Sequence, residues 1–242
     1  MSDTFPQLDE RHPAPVGITA SVALSAWLIA WLVGGLVGAA MFQAGGAPTH
    51  VAGMAWFLAV GTAIGWVVMV GAAGLVSRRD GSGHIADDYG LRFRPADLGG
   101  IPIGIATQLL AVPALYWPLR RAWPATFDQA KLEKNARDLV SATTGVGWVL
   151  LVLMVVVGAP LVEEVVYRGL IHGSLVRRFS HIVAVVASAA LFAAIHVRPV
   201  EFPGLFLVGV VLAVSFSVTR RLGLGIVAHA AFNAAALVVA SR

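Results

Sequence analysis

The sequence predicts an all-α polytopic transmembrane bundle of about seven helices, within a range of six to eight. Three observations carry this. The chain of 242 residues is 58% hydrophobic and only 12% charged, whereas a soluble domain is roughly a quarter charged. Its apolar residues fall in blocks of about twenty, the length a helix needs to cross a hydrocarbon core. The blocks do not alternate polar and apolar as the strands of a membrane barrel would.

The elements follow in order. The stretch "MSDTFPQLDERHPAPV", residues 1–16, reads as a polar, proline-containing tail. Its acidic start and the long apolar run after it point to a retained helix; a signal peptide has a basic start and an apolar stretch of roughly 7–15 residues. Apolar segments are expected at 17–42, 51–76, 98–118, 145–162, 181–196, 203–219 and 224–240. The pairs Gly34/Gly38, Gly61/Gly65 and Gly100/Gly104 have the spacing that lets helices approach closely. Trp117, Trp123 and Trp148 lie near segment ends, as interfacial aromatics do. Pro102 and Pro113 are the hints of a broken helix in the third segment. The loop "RRAWPATFDQAKLEKNARDLVSATTG" predicts a short surface helix around Phe127 to Val140. Three regions result: the tail 1–16, the helices of 17–144 with two longer loops, and a chemistry-bearing membrane region 145–242.

An N-in arrangement puts Arg78, Arg79, Arg92, Arg94, Arg177, Arg178, Arg220 and Arg221 in the cytoplasm, as the positive-inside tendency requires. It leaves Arg120, Arg121, Lys131, Lys134 and Arg137 outside, against that tendency. The net charge of +4 is spread over loops and indicates anionic lipid, not nucleic acid. The absence of cysteine excludes disulfides, thiolate metal sites, a cysteine nucleophile and lipidation on sulfur. The Ala/Val/Gly/Arg-rich composition points to a bacterial plasma membrane.

Ionisable residues are nearly absent from the apolar blocks of the first 118 residues. They then accumulate as Glu163, Glu164 and Arg168, His196, and His229 with Asn233. Such groups are costly in a membrane and face a bundle interior or a wet cavity, so three segments carrying them predict one shared site. Residues four apart share a helix face, which pairs Glu164 with Arg168. Glu163 projects about 100° away from Glu164 and is left as the reactive carboxylate. Tyr167 reads as a packing or orienting residue, and Phe192 as a neighbour of His196. Arg198 and Glu201 read as an interfacial ion pair. His12, His50, His84, His172 and His181 fall in tails, loops or segment edges and receive no role.

This set allows hydrolysis in two ways. Glu163 with His196 can deprotonate a water while His229 and Asn233 donate to an oxyanion. Alternatively Glu163, His196 and His229 are a ligand set for zinc or another divalent metal; the metal-free version is the one favoured.

The motifs "EEVVYRG", "FAAIH" and "HAAFN", in this order over roughly residues 145–242, resemble those of the CPBP family of intramembrane endopeptidases. That family is also called the CAAX-protease and bacteriocin-processing, or Abi, family. The resemblance implies Glu163 and His196 as water activators, His229 and Asn233 as the oxyanion site, and Glu164 and Arg168 as structural support. It implies cleavage of a membrane-associated protein or peptide, in some relatives a lipid-modified one. Two other classes remain beside it: an ion- or proton-coupled transporter, and a non-catalytic immunity or scaffold protein.

Overall fold

The computed structural model describes residues 17–45, 51–141, 143 and 145–242. The expected tail 1–16, with His12, and His50 lie outside them. No strand occurs among the described residues. The main helices are α1 (Ala20–Gly45), α2 (Val51–Asp80), α3 (Pro95–Ala122), α4 (Gln129–Ser141), α5 (Val146–Leu175), α6 (His181–Ala194), α7 (Phe202–Thr219) and α8 (Gly223–Ala240). A single helical turn, Ile85–Asp88, lies between α2 and α3.

Among the described residues six stretches are long and apolar enough to cross a membrane: Ala20–Met41, Ala59–Asp80, α3, α5, α7 and α8. The seventh expected segment, α6, has 14 residues. At 1.5 Å per residue that is about 21 Å, short of a hydrocarbon core of about 30 Å. Helix α4 is the expected surface helix. Leu36, Val67, Leu110, Val146, Ile182 and Val218 are exposed on the outer faces, an arrangement that suits lipid and would be costly in water.

Helix α5 is the central post, touching α1, α2, α6, α7 and α8. Its second half, Glu164–His172, is buried at all nine positions. The pair α3/α8 packs most closely through Gly100 and Gly104. A Cβ on Gly104 would lie 2.0 Å from the carbonyl oxygen of Ala228, and one on Gly100 would lie 2.6 Å from the nitrogen of Ala228. The other two glycine pairs are used only in part. Gly34 approaches Gly65 (3.4 Å from its virtual Cβ to Cα), but among the described residues Gly38 and Gly61 meet nothing within 4 Å. Glycine spacing alone does not say which face the partner helix takes.

Prolines shape two of the spans. Residues Thr107–Ala111 and Leu153–Gly158 run as π-helix, each ending two residues before a proline, Pro113 and Pro160. A proline has no N–H for the carbonyl four residues back, and a local π-turn is one way to re-satisfy the ladder without breaking the helix. The helix carrying Pro113 is therefore continuous, not broken.

The loops after α2, α5 and α7 gather at one end. There Leu222 N–H donates to Gly90 O (2.8 Å), Arg221 pairs with Asp97 (2.5 Å), and Gly17 abuts the carbonyl of Asp80. Ser77 and Ser82 both donate to Asp88 there (2.5 and 2.9 Å). The other end ties α3 to the α6–α7 turn through Tyr116. Its hydroxyl donates to Val200 O (2.8 Å) and accepts from Gly204 N–H (3.1 Å). The basic residues at this second end are engaged locally: Arg121 over the Trp117 ring at 4.0 Å, Arg120 with Gln129, Lys131 with Ala125 O, Lys134 with Asp138 and Arg137 with Glu133. Arg198 and Glu201 pair there at 3.5 Å.

Candidate active site

The sequence brings Glu163 and Glu164 to adjacent positions of α5, and the structure gives them opposite surroundings. Glu164 is fully buried, and its Oε1 lies 3.1 Å from Nη1 of Arg168, itself 1% exposed. Room for this carboxylate comes from Gly225, where a Cβ would sit 2.8 Å from Oε2. Arg168 also donates from Nη2 to the carbonyl of Gly209 (3.2 Å), and its guanidinium lies 4.5 Å over the ring of Phe192. Breaking one partner of such a buried pair costs about 3–5 kcal/mol, because an uncompensated charge is left behind. Glu163, with 23% of its side chain exposed, instead faces a cavity of about 360 Å³.

That cavity is also lined by His196, His229 and Asn233, so the residues of all three motifs share one space. His229 is the link between the two glutamates. Its Nδ1 lies 3.1 Å from Oε1 of Glu164 and its Nε2 3.8 Å from Oε2 of Glu163. A carboxylate paired with arginine can only accept, so Nδ1–H is the donor and Nε2 is left facing the cavity. Glu163 thus lies within 4 Å of His229 and shares its cavity with His196.

His196 stands at the C-terminal end of α6. Its Nδ1–H donates to the carbonyl of Phe192 at 2.8 Å, which leaves Nε2 as the acceptor. The next residue, Val197, has φ 51. A β-branched residue in this left-handed region is strained by roughly 1–3 kcal/mol, as is found at functional sites. Asn233 commits one N–H to Val155 O (2.7 Å), inside the π-turn ahead of Pro160, and keeps a second.

Aromatic packing holds the group together. The Phe192 ring lies edge-on to Tyr167, His196 and His229, with centroids 5.4, 5.1 and 5.9 Å away. Tyr167 is 2% exposed and accepts from the Trp27 indole N–H at 3.3 Å. This gives Tyr167 a contact from α1 that helix periodicity could not reveal.

One residue was assigned no role and has one. His172 lies in the core, not at a segment edge, and is fully buried. Its Nδ1 lies 3.1 Å from Ser188 Oγ on α6 and its Nε2 2.9 Å from Ser217 Oγ on α7. Ser188 already donates to Val185 O, so Nδ1–H donates to Ser188 and Nε2 accepts from Ser217. His172 thereby clasps three helices one turn beyond Arg168. The signal in the sequence was the four-residue step from Glu164 through Arg168 to His172.

As metal ligands, Glu163, His196 and His229 have suitable donor atoms, with both free Nε2 atoms on the cavity. Yet among the described residues no three His, Asp or Glu side chains converge as a metal-binding group.

Residues 145–235 match the family model Rce1-like, described as type II CAAX prenyl endopeptidase Rce1-like. No curated protein and no solved structure matches the chain. The matched segment contains every polar residue described above on the cavity, and its motifs agree with the CPBP pattern. Residues 145–235 are thus similar to type II CAAX prenyl endopeptidases of the Rce1-like family, within a helical bundle that has six stretches long and apolar enough to cross a membrane among the described residues.

Proposed function

We propose that the protein is an intramembrane endopeptidase in which Glu163 activates the attacking water. What carries the reading is the pair of glutamates joined by His229: one carboxylate buried and neutralised by Arg168, the other open to the cavity 3.8 Å from Nε2. Glu163 accepts a proton from water, assisted by the free Nε2 of His196, and the hydroxide adds to the peptide carbonyl. With a proton on Nε2 and its Nδ1–H held by Glu164, His229 donates to the oxyanion, and the second N–H of Asn233 adds a donor. Glu163 then returns the proton to the leaving amine. The substrate is a membrane-associated protein or peptide, of CAAX or bacteriocin type, and the location is the bacterial plasma membrane.

The test is proteolysis of the membrane fraction in cells carrying wild type or Glu163→Ala. Products present with wild type and absent with the variant support the reading, and undiminished cleavage by Glu163→Ala sinks it. Cleavage by the purified protein should persist in chelator. Loss restored by added zinc would instead favour Glu163, His196 and His229 as ligands.

A further inference from the structure

The cavity is not built by the family segment alone. One wall is the α2 face formed by Ala59, Thr62 and Trp66, spaced three and four residues apart as neighbours on a helix are. These residues lie before residue 145 and outside the match. Trp66 is the largest of them, and its position is fixed by a contact with α5. A Cβ on Gly158 would fall 2.4 Å from Cζ3 and 2.7 Å from Cη2 of the indole. The ring edge therefore rests on bare backbone five residues ahead of Glu163, in the π-turn that Pro160 ends. The bare glycine lets the ring sit back against α5, and any side chain at 158 would displace it.

We propose that Trp66 is the gauge that limits the bulk of the substrate side chain accepted beside the scissile bond, and that this side chain is apolar. This rests on the proteolytic reading above. Apart from the reacting groups and the hydroxyls of Thr62 and Thr143, the walls are apolar, with Leu151, Met154, Val155 and Val208 among them. Chemistry and selectivity thus come from different parts of the chain, with the reacting groups in the Rce1-like segment and the gauge on α2. In an apolar pocket a methylene more or less is worth about 10–200-fold in discrimination, so removal of an indole should be plainly readable.

Two measurements test it on the full chain. First, the protein has no cysteine, so Ala159→Cys places a single thiol on the cavity wall next to Gly158. Methyl and benzyl methanethiosulfonate should both reach it, the benzyl reagent about 10-fold or more faster once Trp66→Ala is added. Trp66→Phe should lie between, which also serves if Trp66→Ala does not fold. Equal benzyl rates with and without the indole overturn the gauge, and failure of the methyl reagent overturns the open cavity on which it depends.

Second, cleavage sites are sequenced in membranes carrying wild type, Trp66→Ala or Gly158→Ala, each with and without Glu163→Gln. Bulkier apolar residues should appear at Glu163-dependent sites with Trp66→Ala and become fewer with Gly158→Ala. An unchanged size distribution overturns the gauge and leaves the proteolytic reading standing. Absence of Glu163-dependent cleavage in wild type sinks the proteolytic reading, and the thiol rates then decide the gauge alone.

Discussion

His229 donates its Nδ1–H to Oε1 of Glu164 at 3.1 Å, across a separation of 65 residues in the chain. This bond couples the site to its scaffold. The carboxylate that orients the imidazole is the one that neutralises Arg168, and both are sealed from solvent. Replacing Glu164 by Gln should therefore strip Arg168 of its counterion. A loss on the order of 3–5 kcal/mol is expected, read as a lower melting temperature in detergent together with lost cleavage. Glu163→Gln should melt near wild type, because that side chain is partly exposed and carries no buried partner charge. Equal melting of the two variants would contradict the division of roles.

The α3/α8 contact makes a second prediction. Gly104→Ala sets a methyl 2.0 Å from the carbonyl oxygen of Ala228, the residue before His229. Backbone cannot yield as a side-chain tip can, so α8 must shift. Overpacking of this kind costs about 1–3 kcal/mol, and activity should fall although Gly104 is not among the residues lining the cavity. Gly38→Ala, with nothing within 4 Å among the described residues, should leave both stability and activity unchanged.

His172 should behave as a structural clasp. His172→Ala leaves the Ser217 hydroxyl without its acceptor and removes the donor to Ser188. Unsatisfied buried groups cost about 1–3 kcal/mol each. The expected outcome is reduced thermal stability, with residual cleavage at temperatures where the variant stays folded. Complete loss of cleavage in a fully folded His172→Ala would assign it to the chemistry instead.

Asp88, in the loop between α2 and α3, gives a pH prediction. Burial works against its charge, but hydrogen bonds from Ser77 and Ser82 outweigh that and hold its carboxyl below the usual 3.8. A depressed folded value means that the stabilisation is fully present above the unfolded pKa and is lost as pH falls through the folded one. Acid melting of wild type below about pH 4 should be less steep in Asp88→Asn, which should also be the less stable protein at neutral pH.

The membrane class and the site were largely legible in the residues themselves. Block length and the scarcity of charge give spanning helices because the bilayer imposes a fixed thickness and leaves backbone groups no water. The i, i+4 step paired Glu164 with Arg168, and the cost of polar groups in lipid predicted that Glu163, His196, His229 and Asn233 would share one cavity. What they contact there was decided only by the packing of α5 against its neighbours. Periodicity fixes the face of one helix, not the distance to another. It could not show that Glu163 meets His229, that His172 bonds to α6 and α7, or that Trp66 rests on Gly158. Those contacts depend on how closely two helices approach, and that is set in three dimensions by glycines, prolines and the side chains between them.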